Sequence, residues 1–374
     1  MRRIYLDYNA STPLDPGVAQ AMRSVLEDSY GNPSSAHWAG RAAKQILEEA
    51  RADVAAFIGC TPAEIVFTSG GSEANNLALK GTFYSRPNLP VHIITTQIEH
   101  PAILEPCRFL SQLGAQITYL PVDSTGLVDP DDVRRAITSA TRLISIMHAN
   151  SEVGTIQPIG ACAEVARDHG IPFHTDAAQS VGKIPTRVDE LGVAMLSVVG
   201  HKLYAPKGIG ALYIRAGTKL EPLIHGAGHE GGRRAGTESA MLAAGLAAAC
   251  RLATDLAWTE RVRALRDQLW SSLHTRLGNR VVLNGHPERR LPNTLNVSFV
   301  GRAGGDILAA LEGVAASTGS ACHSGRVELS PVLRAMGITE HVGMGAVRFS
   351  LGRATTANEI TEVADRVSDF LLRS

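Results

Sequence analysis

Between residues 61 and 215 the chain repeats one pattern, a short apolar run without strict alternation followed by a stretch of helical or turn character. The runs are "IVFTS", "VHIITTQ", "QITYLPV", "RLISIMHAN", "IPFHTDAAQ", "AMLSVVG" and "GALYIR". A strand that is apolar on both sides has to be covered on both faces, and the intervening helices supply that cover. The pattern predicts an α/β fold with a mainly parallel sheet between two helical layers. Residues 37–59 predict one covering helix, with Ala39, Ala42, Ala43, Ile46, Ala50, Val54 and Phe57 along its apolar stripe.

Near residue 255 the pattern changes. The alanine-rich stretch 239–277 predicts one or two long helices leading away from the sheet. It is followed by the apolar runs "LNVSFV", "VAAST" and "AVRFSLG", the helical runs "DILAALEG" and "PVLRAMG", and a closing helix "NEITEVADRVSDFLLR". A chain of 374 residues suits two hydrophobic cores better than one. The division predicted is a large domain over 15–255 and a smaller α/β domain made of 256–374, with residues 1–14 packed beside it.

Lys plus Arg and Asp plus Glu both number 36, so no global field draws the chain to nucleic acid or a membrane. Cys60, Cys107, Cys162, Cys250 and Cys322 are scattered and include no C-x-x-C pair. That spacing argues against a disulfide framework or a cysteine-ligated zinc and fits a reducing compartment. The start "MRRIYLDYNAST" has no apolar run behind its arginines, and no stretch approaches the ~20 apolar residues of a membrane span. A soluble, cytoplasmic protein without a metal site is the expectation.

Six segments carry residues suited to chemistry, the first three with a plainer reading beside them. "VVGHKLYAPKGIG" puts Lys202 at the mouth of an apolar strand, where an amine is either exposed or placed to react with a carbonyl compound. "IPFHTDAAQS" ends a strand at Asp176, a carboxylate able to pair with a protonated pyridine ring or simply to cap the next turn. "IVFTSGGSEANN" is a strand, a Gly-Gly turn and a helix start, either an ordinary connection or a phosphate cradle. It lacks the P-loop lysine, so a nucleoside triphosphate is not indicated. "QIEHPA" puts His100 at the end of a strand, immediately before Pro101, and "MHANSEVG" offers Asn150 beyond one. Residues at strand ends converge on the crevice where open α/β sheets bind ligands. "STGSACHSG" holds Cys322 among small and polar residues, poor company for a buried structural cysteine, whereas the other four cysteines lie in helical contexts and read as packing.

The motifs "YLDYNASTP", "GNPSSAH", "TSGGSEANN", "EHPA", "HANSEVG", "HTDAAQS", "GHKLYAPKGIGALYIR", "RRAGTES", "GSACHSG" and "VRFSLGR" stand in the order and rough spacing of one family. From Tyr5 to about Arg353 the chain resembles the cysteine desulfurases. The resemblance implies the fold type I architecture of pyridoxal-phosphate enzymes, with a seven-stranded sheet in the large domain. It implies pyridoxal 5'-phosphate held by Lys202, with Asp176 on the pyridine nitrogen, Gln179 on the ring hydroxyl and His100 stacked on the ring and moving protons. Gly71, Ser72 and His201 would hold the phosphate, with Thr237 reaching it from the neighbouring subunit of a homodimer. Asn150 would lie over the ring, and Arg348 would clamp the substrate carboxylate with Asn32 nearby. Cys322 would take sulfur from L-cysteine as a persulfide, leave L-alanine, and pass the sulfur to an acceptor protein in iron–sulfur cluster assembly, tRNA thiolation or DNA modification. Selenocysteine lyase is the neighbouring alternative. An aminotransferase or decarboxylase of the same fold, or a non-catalytic scaffold, would leave Cys322 without a role. Two positions depart from the family's usual pattern: Val199 replaces a serine and Ser72 a threonine in the phosphate site.

Overall fold

The structure, a computed structural model, describes residues 3–318, 322–323 and 326–373, with backbone alone at 322–323 and 326–327. Strand β1 (Ile4–Tyr5) opens the chain. The large sheet is built from β2 (Ile65–Thr68), β3 (His92–Thr96), β4 (Gln116–Leu120), β5 (Thr141–Ser145), β6 (Phe173–Asp176), β7 (Met195–Val199) and β8 (Gly210–Ile214), one for each apolar run. Their spatial order is β2-β8-β7-β6-β5-β3-β4, and β8 alone runs antiparallel to its neighbours. Strands β5 to β8 are buried at nearly every position, which explains the missing alternation.

One apolar core lies on the face covered by the helices Trp38–Ile58, Ile159–Asp168 and Ala240–Leu252. A second lies on the opposite face under Gly71–Tyr84 and Pro101–Gln112. The helix Trp38–Ile58 corrects the stripe read from sequence. Ala42 is exposed and Ile46 and Phe57 are half-buried, whereas Ala39, Ala43, Leu47, Ala50, Arg51, Val54 and Ile58 are buried. The three- and four-residue steps run through Arg51, and a charged residue inside the stripe disguised it.

Arg51 is buried because it has a partner. Its guanidinium donates to both carboxylate oxygens of Glu230 at 2.7 and 2.8 Å and to the Ile65 carbonyl at 3.0 Å. The Phe67 N–H donates to the same carboxylate at 2.8 Å. Strand β2 is an edge strand, so the pair occupies backbone groups that would otherwise invite another strand. Glu230 holds a positive φ of 50°, a conformation a side chain adopts only when its surroundings fix it.

The remaining strands are β9 (Val281–Asn284), β10 (Thr294–Phe299), β11 (Val314–Ala315), β12 (Ser317–Thr318), β13 (Cys322–His323), β14 (Arg326–Val327) and β15 (Ala346–Ser350). A second sheet has the order β12-β15-β10-β9, and its core includes Ile4, Leu6 and residues of the helices Ala257–Leu277 and Ala357–Arg373. Strand β1 pairs with β11 and Asp7 bridges to Ser350. The chain then crosses to the large sheet, where Thr12 N–H donates to the His201 carbonyl and Asp15 N–H to that of Tyr204. Residues 7–12 thereby lie between the two sheets. Among the described helices, no single one is long and apolar enough to cross a membrane.

Candidate active site

Strands β2, β3, β5, β6 and β7 all end on one edge of the large sheet, so the residues that follow them meet there. A cavity of about 330 Å³ opens at that edge. Gly71, Ser72, His100, Asp176, Gln179, His201, Lys202 and Arg348 line it, together with Val199 and, from residues 7–12, Asn9 and Ala10.

Lys202 ends the short helical turn Gly200–Lys202 that follows β7. Its Nζ donates to the carbonyls of Asn9 at 2.6 Å and Ala10 at 2.7 Å. Burial lowers its pKa to about 8, helped by the charge of Arg348 and opposed by Asp7 and Asp176. Two residues later Tyr204 takes a φ of 62°. Its N–H is held by Thr12 Oγ1 at 2.8 Å, its hydroxyl accepts from the Arg353 N–H at 2.9 Å, and the Arg353 guanidinium covers its ring. That strained residue turns the chain sharply beneath Lys202.

Asp176 closes β6 and faces the cavity. Asn75 Nδ2 donates to Oδ2 at 2.7 Å and Ala178 N–H to Oδ1 at 2.9 Å, so it both caps a turn and presents a fixed carboxylate. The helix Gly71–Tyr84 points its N-terminus at the same space, and the first N–H groups of a helix have no intrahelical acceptor. Glycine is required at 71, because a Cβ there would meet Val199 Cγ2 at 2.5 Å. The Val199 side chain is thus packed against the turn, giving an apolar contact where a serine would offer a hydroxyl.

His100 is not the last residue of a strand. It is the N-cap of the helix Pro101–Gln112, with Nδ1 accepting from Ala102 N–H at 3.1 Å, which leaves its hydrogen on Nε2. Desolvation lowers its pKa, opposed by Asp176 and aided by Lys202, so the ring is neutral near pH 7. His201 is lowered further, to about 4, by burial and by the charges of Lys202 and Lys207, and offers a neutral N–H rather than a cation. Beneath His100, burial raises the Glu99 carboxyl to about 8. Its Oε1 accepts from Thr96 Oγ1 at 2.8 Å and Met147 N–H at 3.0 Å, tying the loops after β3 and β5 together.

Arg348 lies on β15, and its NH2 donates to Asp7 Oδ1 at 2.8 Å and NH1 to the Ser151 carbonyl at 2.9 Å. Ser317 Oγ donates to the same Asp7 oxygen at 2.9 Å. Among the described residues, Arg348 Nε is buried without a partner, and so is Asn75 Oδ1.

Three of the residues singled out lie outside this cavity. Asn150 is buried one step behind the wall, where Oδ1 accepts from the N–H groups of Glu152 and Val153 and Nδ2 donates to the Ile98 carbonyl. It fixes the turn that brings Ala149 and Ser151 to the wall. Asn32 is exposed and caps a turn through Ser34 N–H. Thr237 lines a separate groove with Thr68, Ser69 and Arg234. The Cys322 side chain lies outside the described residues. The other cysteines fit packing: Cys107 and Cys162 are fully buried with thiols pushed up to about 12, half-buried Cys60 is raised as far, and buried Cys250 is raised as well.

The chain matches the class-V aminotransferase family over residues 4–363. A cysteine desulfurase IscS of Dictyoglomus turgidum is 49% identical, over 97% of this chain and 93% of that protein. The chain belongs to the cysteine desulfurases. Among solved structures, a NifS-like protein superposes with a TM-score of 0.93 at 37% identity over the whole of both chains. SspA in complex with cysteine gives 0.83 at 38%, covering 94% of this chain and all of the other. Cysteine desulfurases depend on pyridoxal phosphate, take the sulfur of L-cysteine and leave L-alanine, and this enzyme is one of them. The cavity fits the cofactor. A depressed amine, a fixed carboxylate, a helix N-terminus and two neutral imidazoles surround one space, and two buried polar atoms at it have no partner among the described residues.

Proposed function

We propose that this cysteine desulfurase binds pyridoxal phosphate between Lys202, Asp176 and the Gly71–Ser72 turn, and delivers the sulfur of L-cysteine to Cys322. When bound, the cofactor supplies an electron-withdrawing ring that stabilises negative charge at the α-carbon of the substrate. Lys202 holds it through an amine whose lowered pKa favours the nucleophilic, neutral form. Asp176, immobilised by Asn75 and Ala178, would pair with the pyridine nitrogen and favour its protonated form. Gln179 would donate to the ring hydroxyl, and the Gly71, Ser72 and His201 donors would hold the phosphate. His100, which lines the cavity, would stack on the ring and move protons through Nε2. Arg348 binds the substrate carboxylate, with Asn150 ordering the neighbouring turn.

Cys322 then attacks the substrate sulfur. A sulfur–sulfur bond forms as the carbon–sulfur bond breaks, alanine departs after protonation, and a persulfide stays on the enzyme. A homodimer, with Thr237 completing the partner subunit's phosphate site, is part of the proposal. So are Asn32 at the substrate entrance and onward transfer to a protein acceptor serving iron–sulfur cluster assembly, which kinship with IscS proteins favours.

The observation that carries the reading is the convergence of Lys202, Asp176, Gln179, His100 and Arg348 on one cavity from widely separated parts of the chain. Borohydride reduction of the holoenzyme followed by peptide mapping tests it. A pyridoxyl group on Lys202 supports the assignment, and one on another lysine, or none, overturns it.

A further inference from the structure

Lys183 is the one buried lysine the reading above leaves unused. It is 4% exposed, and no described carboxylate lies within ion-pair distance of it. The charges that act on it, Lys202 and Arg348, have its own sign, and burial together with them pushes its pKa down to about 7. A position that wanted only volume would carry methionine, because an unpaired buried amine is costly to keep. Its one described side-chain hydrogen bond runs from Nζ to Gln179 Oε1, at 3.0 Å.

That bond fixes a choice which shape leaves open. The two ends of a glutamine amide are nearly the same size but opposite in function, one accepting and the other donating. The Lys183 amine donates in this bond, so it takes Oε1 and turns Nε2 away from itself. Nε2 donates to the Asn9 carbonyl at 2.9 Å, the oxygen that also accepts from Lys202 Nζ at 2.6 Å. Asn9 is itself fixed by Ser350, Thr294, Ser151 and Asn293. Gln179 borders the cavity, and its second Nε2 hydrogen remains for an acceptor there.

We propose that Lys183 is a positioning residue for the cofactor: its buried amine sets the orientation of the Gln179 amide so that the cavity meets an N–H donor instead of a carbonyl oxygen. This rests on the reading of Gln179 as a cofactor contact. A hydrophobic replacement removes the control while relieving the burial of the amine, so stability and cofactor affinity move in opposite directions. A purely structural lysine would lower both.

The test uses holoenzyme carrying K183M, Q179L, Q179E or K183M with Q179L. Pyridoxal phosphate affinity is measured by equilibrium dialysis, the pH midpoint of the visible absorption band by titration, and stability by melting of the cofactor-free chain. Q179L and K183M should each weaken affinity on the order of fivefold, the size of one hydrogen bond. K183M should shift the spectral midpoint without lowering the melting temperature, and the double variant should bind as Q179L does. Q179E keeps a partner for Lys183 but offers no N–H, and should bind as weakly as Q179L even if K183M fails to fold. Wild-type affinity in K183M, or additive losses in the double variant, would overturn the role of Lys183 while leaving Gln179 as a contact; wild-type affinity in Q179E would show that the N–H donor is not needed and overturn both. Wild-type affinity in Q179L would remove the Gln179 contact and Lys183 with it.

Discussion

Replacing Arg348 with methionine should raise the pH at which Lys202 becomes nucleophilic. Burial is the largest cause of the depressed Lys202 pKa and the Arg348 charge the next, with Asp7 and Asp176 acting the other way. With a pKa of about 8, roughly a tenth of the amine is neutral at pH 7, against fewer than about one in a thousand for an ordinary lysine near ~10.4. That difference, on the order of two hundredfold, is the advantage the site gives to capture of an aldehyde. Trace acetylation of the cofactor-free enzyme across a pH series, with the Lys202 peptide quantified by mass spectrometry, reads the neutral fraction directly. The wild-type curve should reach its midpoint near pH 8. R348M should move it up and D7N should move it down, because the first removes a cation and the second an anion. Labelling of Lys202 that still climbs beyond pH 10, or a midpoint indifferent to both substitutions, would refute the argument.

Other outcomes follow from the same contacts. Glu230→Gln removes the buried counter-ion of Arg51 and leaves only half-exposed Glu48 at 3.5 Å, and urea unfolding should show a loss of about 3 kcal/mol, whereas a loss below about 1 kcal/mol would mean the pair does not close the β2 edge. Asp7→Asn should destabilise the chain yet strengthen inhibition by L-alanine, because Arg348 then lacks a resident anion and gains more from the ligand carboxylate. Weaker alanine inhibition would show that Asp7 serves chiefly to orient Arg348. Iodoacetamide at pH 7 should spare Cys107 and Cys162, whose buried thiols stay protonated, and their labelling in the folded enzyme would contradict the packing role.

The large sheet was legible because its strands are buried on both faces, so every apolar run from "IVFTS" to "GALYIR" became a strand. Lys202, Asp176 and His100 were legible because each follows such a run and so arrives at the same sheet edge. What could not be read was cooperation across long separations. Asn9 and Ala10 hold the Lys202 amine from 193 and 192 positions away, and Asp7 occupies Arg348 from 341 away. Asn75 stood inside a quoted motif, four residues past the Gly-Gly turn, but only the folded helix shows it bonded to Asp176. The stripe of residues 37–59 was misread for a related reason, since Arg51 is buried by a glutamate 179 positions later. Asn150 was placed by its position past a strand, and the structure gives its amide to the backbone of the turn.

The central claim is that the sulfur leaves its substrate at this cavity and reappears on one cysteine. Mass spectrometry of the enzyme after brief incubation with L-cysteine, with the thiols trapped and the peptides mapped, tests it most directly. The account predicts one added sulfur atom on Cys322, absent when Lys202 is replaced by alanine. A persulfide on Cys60, Cys107, Cys162 or Cys250, or alanine release undiminished in C322A, would contradict it.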